Sequence, residues 1–449
     1  MLFRAWERII LFTALSTVGI PAMAELPSGE AKFFDEAPDR VFKIGLAVSL
    51  AGEFAGHGTA FVVDEHGLIA TAYHVVAEVL QGDAKIGAKG KKSSTPAKQQ
   101  IYIVRKGARI EAQLWAVDSA NDLALLKIPF QLAKPWPVSA EKMKNGRRVS
   151  LMGYPGSSEF SIVSGPVQNS KISQVVAYYQ ITAPVTGGMS GGPIVNPIGQ
   201  VIGVTLARIS NGSDIVIAAQ SESLRRLVER HKKIALQSAV PPSKEELLNQ
   251  IKEGDQALAS QQAAILKDYF QNGTDFHGWK IPSSADQFPD VRCAETAMGQ
   301  SDQGEELQKV KTAERSCDFK MASDSSRVSF KLRYSVMQSG PHPLQMAGKS
   351  QALLNTDRSL RPVRQNKKTF HCSKDFRAEI SLQVFTVSIC AREDRFTEDS
   401  FETVVRIASL DFHRPALVAE LELNGFGRAL TNELVGSFIK GVGVENGAK

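Results

Sequence analysis

The sequence predicts a mostly β protein: an all-β region of short strands, a helical connection, and a separate α+β domain of unassigned fold. Three observations carry that expectation. From Phe42 to Ala219, short β-rich runs alternate with Gly, Asn, Asp and Pro and no long helical pattern intervenes, which is the signature of a barrel or sandwich. A helical periodicity follows Ser221, and Ala239-Val240-Pro241-Pro242 then breaks the chain. All four cysteines, Cys293, Cys317, Cys372 and Cys390, fall beyond that break.

Taken in order, the strand-like runs are Ile44 to Leu50, Thr59 to Val63, Ile101 to Val104, Leu123 to Ile128, Arg148 to Met152, Val201 to Thr205 and Ile215 to Ala218. A helix over Ser221 to Leu236 places Leu224, Leu227, Val228, His231 and Ile234 on one face,. Ser243 and Glu246 then form a capping-box signature, because the serine hydroxyl and the glutamate carboxylate can each satisfy an orphan N–H of the first turn,. The helix they open runs to Phe270 with Leu247, Ile251, Leu258, Ile265 and Tyr269 at near-heptad spacing; Gly254 and Gln261 interrupt the stripe, so it reads as a packing face,. Beyond residue 275, strand-like runs at Arg327 to Val336, Glu379 to Cys390, Val404 to Leu410 and Val418 to Leu423 precede a terminal helix near Thr431 to Lys440. This half carries no internal repeat and no catalytic motif.

Composition bounds the function classes. A chain of 449 residues exceeds one small domain, and 43% hydrophobic with 22% charged residues excludes both a disordered tail protein and a multi-span membrane protein,. Its net charge of +6 is mild and scattered, which argues against a nucleic-acid partner,. The exception is Lys85 to Lys98, where Lys85, Lys89, Lys91, Lys92 and Lys98 sit among Gly, Ser and Pro and read as a solvated loop,.

Residues 1–24 carry Arg4 and Arg8, then an apolar run from Ile9 to Ile20, then Ala22-Met23-Ala24. That order is the pattern of a secretory signal cleaved before Glu25. The run is shorter than the ~20 residues that span a bilayer. The expected product is exported, periplasmic or secreted, with no membrane span after cleavage. The expected domains are therefore a signal peptide at 1–24, the β domain at 25–235, a linker at 236–244 and the α+β domain at 245–449. In an oxidising compartment an even cysteine count without CxxC or a nearby histidine cluster favours disulfides over metal. Cys372 and Cys390 lie at or near the ends of strand-like runs, compatible with a cross-strand staple; a pairing of Cys293 with Cys317 is the complement, and connectivity stays open at this level. No metal and no cofactor is expected.

Three segments carry chemistry. The run Gly58-Thr59-Ala60-Phe61-Val62-Val63 and the run from Gly67 through Thr71-Ala72-Tyr73 end at His74 among small and β-branched residues. Asp118-Ser119-Ala120-Asn121-Asp122 leads directly into the apolar strand Leu123 to Ile128. Thr186-Gly187-Gly188-Met189-Ser190-Gly191-Gly192-Pro193 surrounds one serine with four glycines, a backbone supple enough to aim several N–H groups at one point, as an oxyanion hole requires,. A phosphate loop would end in Lys-Ser/Thr and open a helix, and this one does neither,.

GTAFVVDEHGLIATAYHVV, DSANDLALLKI, LMGYPG and GGMSGGPIVNPIGQVIGV follow one another in that order. In this the chain resembles the trypsin-like serine proteases and, within them, the HtrA/Deg type of bacterial envelopes, over roughly residues 40–235. The resemblance implies a double β-barrel with His74, Asp122 and Ser190 converging between the barrels: Ser190 as nucleophile, His74 as general base and then acid, Asp122 as the orienting carboxylate, and the N–H groups of Gly188 and Ser190 as the oxyanion hole,. His57, before Gly58, His66, in the turn before Gly67, and Asp118 are the rivals for these roles and lack the matching context.

Met189 stands where zymogens of the chymotrypsin type carry Asp and the HtrA type usually carries Asn. Without a carboxylate there, activation by a new N-terminal ammonium has no acceptor, so signal cleavage alone is expected to suffice. Pro184, six residues before Ser190, together with Thr205, Leu206 and Ala207, implies an apolar, shallow pocket for small or medium aliphatic side chains,. A carboxylate-binding regulatory module is the family expectation, but only 22 residues follow Gly427 of Asn424-Gly425-Phe426-Gly427, too few to complete one.

The reading that results is an exported, cofactor-free serine endopeptidase working through an acyl-enzyme on polypeptide substrates, unfolded or specific envelope proteins. Its α+β domain would serve substrate capture, homo-oligomerisation or attachment to an envelope partner. The alternative is a protease-fold binding or scaffold protein with little turnover.

Overall fold

The computed structural model describes residues 28–81, 99–156, 159–172, 177–208, 214–238, 240–282, 291–300, 311–319, 328–338, 369–373, 375–380, 383–393, 399–409 and 415–443. The signal segment 1–24 and the lysine-rich loop 85–98 lie outside the described residues.

Two closed six-stranded barrels occupy the first half. The first contains β1 (Val41–Ala47), β2 (Gly56–Asp64), β3 (Leu68–Ala72), β4 (Gln100–Arg105), β5 (Ala108–Asp118) and β6 (Leu123–Lys127), in the order β1-β2-β3-β6-β5-β4. The second contains β7 (Arg148–Gly153), β8 (Ser161–Ile172), β9 (Ala177–Thr182), β10 (Pro193–Val195), β11 (Val201–Arg208) and β12 (Ile215–Gln220), in the order β10-β11-β12-β9-β8-β7. The first run, read in the sequence as Ile44 to Leu50, begins instead at Val41 and ends at Ala47, which leaves Leu50 exposed.

The apolar runs of β2 and β3 are continuous rather than alternating because both faces are buried. Ala60, Val62 and Ile69 fill the first barrel, while the intervening Phe61, Val63, Leu68 and Ala70 turn outward into a second cluster,. Met152, Val204 and Leu206 enter that cluster from the second barrel, so it lies between the two barrels. The second barrel's own core is built on Leu151, Tyr179, Ile181, Ile194 and Val216.

Phe33 of helix α1 (Ser28–Glu36) enters the shared cluster, and the one-turn helices α2 (Tyr73–Val76) and α3 (Glu78–Gln81) follow β3. Helix α4 (Ser221–Gln237) lays Leu224, Leu227 and Ala235 on the inter-barrel cluster. Ile234, expected on that face, is exposed, and its neighbour Ala235 takes the buried place.

Helix α5 (Lys244–Gln271) starts at the capping box read from the sequence: Ser243 Oγ accepts the Glu246 N–H at 3.2 Å, and Glu246 Oε2 accepts the Ser243 N–H at 2.6 Å. Its 28 residues extend about 42 Å,. That length lets one helix serve two cores, since Leu247 and Ile251 pack into the first barrel and Leu258, Leu266, Tyr269 and Phe270 into the core of the second half.

That second core lies on one face of an eight-stranded sheet whose strands run in the order β15 (Val291–Gln300), β16 (Lys311–Phe319), β17 (Ser329–Gln338), β22 (Ala416–Gly427), β21 (Ser400–Ser409), β20 (Gln383–Glu393) and β18 (His371–Cys372), with β19 (Phe376–Ile380) also on β20. The hairpin β13 (Gly273–Phe276) and β14 (Trp279–Pro282) and helix α6 (Arg428–Gly441) complete it. The run expected as one strand from Glu379 to Cys390 is instead the pair β19 and β20, with Ile380 opposite Gln383. Strand β22 alternates: Leu417, Ala419, Leu421 and Leu423 face the core, while Glu420 and Glu422 face the other side and pair with Arg406 and Arg333. Disulfides join Cys293 to Cys317 and Cys372 to Cys390, each between directly opposed residues of neighbouring strands. Among the described residues no helix is long and apolar enough to cross a membrane.

Candidate active site

Antiparallel pairing of β3 with β6 puts Ala72 opposite Leu123. The chain leaving β3 therefore meets the chain entering β6 at one barrel rim, which is why His74 and Asp122 come together across 48 residues of sequence. The strand expected to end at the histidine ends at Ala72, and His74 stands on the single turn of α2.

The Tyr73 N–H donates to the Asp122 carbonyl at 2.9 Å and the His74 N–H to Asp122 Oδ1 at 2.8 Å. Asp122 Oδ2 lies 2.6 Å from His74 Nδ1. An ionised carboxylate only accepts, so Nδ1 carries the proton in that bond, and Nε2 is the nitrogen on the far side of the ring from Asp122. Asp122 is itself buried and adopts a left-handed φ of 55°, a conformation aspartate tolerates better than most residues,.

The turn that carries Asp122 is clamped from several directions. Asp118 accepts the Asn121 N–H at 3.1 Å and its side-chain amide at 2.8 Å, so Asp118 shapes the turn and makes no contact with His74 among the described bonds. Burial pushes the Asp118 carboxyl up against the pull of those hydrogen bonds,. Ser223 of α4 donates to Asn121 Oδ1 at 2.9 Å. From α5, Gln250 Oε1 accepts the Val117 N–H at 2.9 Å, and the Ile251 carbonyl accepts the Ser119 hydroxyl at 3.1 Å.

Ser190 lies on a loop whose backbone is held one peptide at a time. The Gly187 carbonyl accepts from Gly156 N–H at 2.7 Å, the Gly188 carbonyl from Thr59 Oγ1 at 2.8 Å, the Met189 carbonyl from Gly192 N–H at 3.0 Å, and the Ser190 carbonyl from Thr59 N–H at 2.8 Å. A trans peptide points its N–H opposite its carbonyl. Fixing the carbonyls of Gly187 and Met189 therefore orients the N–H groups of Gly188 and Ser190, and among the described residues neither has a partner. Gly188 holds φ +99° and Gly191 φ +85°, both closed to most side chains,.

Met189 turns inward, fully buried in the second barrel's core. Where the resemblance leads one to expect a polar residue, an apolar anchor of about 1.5–3 kcal/mol holds this loop from beneath. Ser190 Oγ donates to the Leu206 carbonyl at 2.9 Å.

Of the pocket residues, Pro184 is exposed, Ala207 half-buried, and Thr205 and Leu206 buried. His66 rests on Asp64 in its turn, 2.9 Å from Oδ1, and stays half-exposed. His57 lies against Gly188. Sequence reasoning assigned no role to Thr59, Tyr154 or Gly156, which brace the serine loop: Thr59 Oγ1 also accepts the Tyr154 N–H at 3.1 Å. The motifs containing them, GTAF and MGYPG, were the available signal.

Residues 58–204 match the family model described as a trypsin-like peptidase domain. The chain is 28% identical over 239 residues to the mitochondrial serine protease HTRA2 of Bos taurus, covering 49% of this chain and 47% of that protein. It is 31% identical over 186 residues to the human serine protease HTRA4, covering 39% and 35%. A solved serine endoprotease from Yersinia pestis is 22% identical with a TM-score of 0.37, covering 46% of this chain and 68% of that one. The chain thus spans less than half the length of these curated relatives.

Proposed function

We propose that this chain, whose residues 58–204 are a trypsin-like peptidase domain similar to those of the HtrA proteases, is an exported serine endopeptidase that cleaves polypeptides through an acyl-enzyme, with unfolded or envelope proteins as substrates. The observation that carries the reading is Asp122 holding both the backbone and the ring of His74 at 2.8 and 2.6 Å.

In that reading the Ser190 hydroxyl rotates its hydrogen from the Leu206 carbonyl to His74 Nε2 and Oγ attacks the scissile carbonyl. His74 takes the proton, and Asp122 stabilises the resulting imidazolium while keeping its orientation. Negative charge on the substrate oxygen is met by the Gly188 and Ser190 N–H groups that the loop leaves free,. His74 returns the proton to the departing amine, leaving the acyl group on Ser190. A water activated by the same Nε2 then hydrolyses that ester and restores the serine. The two disulfides support an oxidising compartment,.

The test is active-site labelling. A fluorophosphonate should label the mature chain and casein should be cleaved, and Ser190→Ala should abolish both. Proteolysis that survives Ser190→Ala would overturn the mechanism, and a wild type that neither labels nor cleaves would leave a protease-fold binding protein.

A further inference from the structure

His57 lies in β2, opposite Gly45 of β1, and takes no part in the proposed relay. Its ring edge lies beside the serine loop: a Cβ added to Gly188 would come within 2.6 Å of His57 Nε2 and 2.8 Å of Cδ2, and would also strike the Tyr154 carbonyl. Gly188 thus sits between an imidazole edge and a carbonyl, in a space that admits no side chain at φ +99°. His57 Nε2 is buried and has no hydrogen-bond partner among the described residues.

In the neutral ring this leaves one unsatisfied acceptor, with the desolvation cost that a buried lone pair carries. An imidazolium costs more: its N–H and charge would face Gly188 with no acceptor. Nor would a carboxylate compensate. Residues 184–192 and 154–156 contain no charged side chain, and Lys43 of β1 is the one charge that acts on the ring. Burial, and then Lys43, hold His57 below its usual range despite the opposing pull of the Gly156 carbonyl,.

We propose that His57 is a positioning residue: as a neutral imidazole it walls Gly188 into the conformation that presents the oxyanion N–H, and proton uptake drives the ring from that wall and opens the oxyanion site. This rests on the reading of Gly188 as an oxyanion donor.

The experiment follows the rate of fluorophosphonate labelling from pH 8 to pH 5 on the full mature chain, for wild type, His57→Gln and His57→Ala, with a thermal melt of each at every pH to establish folding. One titrating base gives a rate falling about tenfold per pH unit, and two give a fall that steepens towards a hundredfold. Wild type should steepen at the acid end. His57→Gln, neutral throughout, should stay within about threefold of wild type at pH 8 and keep the one-proton slope. His57→Ala, which removes the wall, should label about tenfold slower at pH 8, part of the 10²- to 10³-fold that a whole oxyanion donor is worth. A folded wild type with the same one-proton slope as His57→Gln overturns this role while leaving the hydrolase reading intact. A wild type that does not label at pH 8 removes both.

Discussion

The two halves of the molecule solve the same problem differently. Each barrel closes on itself and so has no edge strand, whereas the sheet of the second half is open and ends in β15 on one side and β18 on the other. Both disulfides sit at those ends: Cys293–Cys317 ties β15 to β16, and Cys372–Cys390 ties the two-residue β18 to β20. Unpaired edges invite fraying and foreign pairing. Covalent staples therefore appear at the two ends of the open sheet, and the closed barrels contain no cysteine. The chemistry sits in the closed half, and α5 reaches it from the open one.

The largest effect should come from within the barrels. Asp122→Asn preserves the contact with His74 but allows the wrong tautomer, and turnover on casein should fall by about 10⁴-fold without a change in circular dichroism. A loss under about tenfold would mean that His74 is oriented by something else. Next, Cys293→Ala with Cys317→Ala should destabilise the second half by about 2–5 kcal/mol in thermal unfolding, while Ser190 of the barrels still labels. Labelling lost in parallel with the unfolding of the second half would show that the halves do not unfold separately.

A smaller effect should sharpen the contrast by way of α5. A Cβ on Gly254 would come within 2.5 Å of Ser119 Oγ, in the turn that holds Asp122. Gly254→Leu should lower kcat about tenfold, since displacements near 1 Å around a reacting group are worth up to 10². Gly254→Leu combined with Ser119→Gly should recover part of that loss, as coupled neighbours do in a double-mutant cycle. An unchanged kcat in Gly254→Leu would mean the helix does not bear on Asp122.

The smallest effect concerns pH and stability. His57 and His231 both have pKa values lowered from 6.5, chiefly by burial. Each binds fewer protons folded than unfolded, so stability is full above about pH 6.5 and declines as pH falls towards the lowered values. Thermal melts of the barrels should therefore weaken from pH 7 to pH 5, and His231→Gln should flatten that slope slightly. A melt that strengthens on acidification would contradict the sign.

Much of this was legible in the residues. Continuous apolar runs flanked by Gly and Asp marked most strands of both barrels but not β5, β8 or β9, whose apolar residues are interrupted by polar ones; Ser243 and Glu246 marked the start of α5, and the glycines around Ser190 marked a loop built to turn N–H groups one way. What escaped reading were contacts between segments distant in sequence. In sequence His57 reads only as a rival base, and its proximity to Gly188 follows from the approach of β2 to a loop 131 residues later. Ile234 satisfied the helical period yet is exposed, because periodicity gives the direction of a stripe but not the width of the surface it meets.

By itself the sequence determined local matters: which segments extend, where helices begin, which residues can carry a proton or attack a carbonyl. These follow from side-chain shape and backbone freedom, which act over a few residues. Only the tertiary structure decided that Asp122 would grip His74 with both oxygens, that Thr59 would hold two of the serine loop's peptides, that the staples would fall on the sheet's edges, and that one helix would belong to two cores. Those depend on barrel closure and strand register, which set which distant backbones meet, and no local preference contains that information.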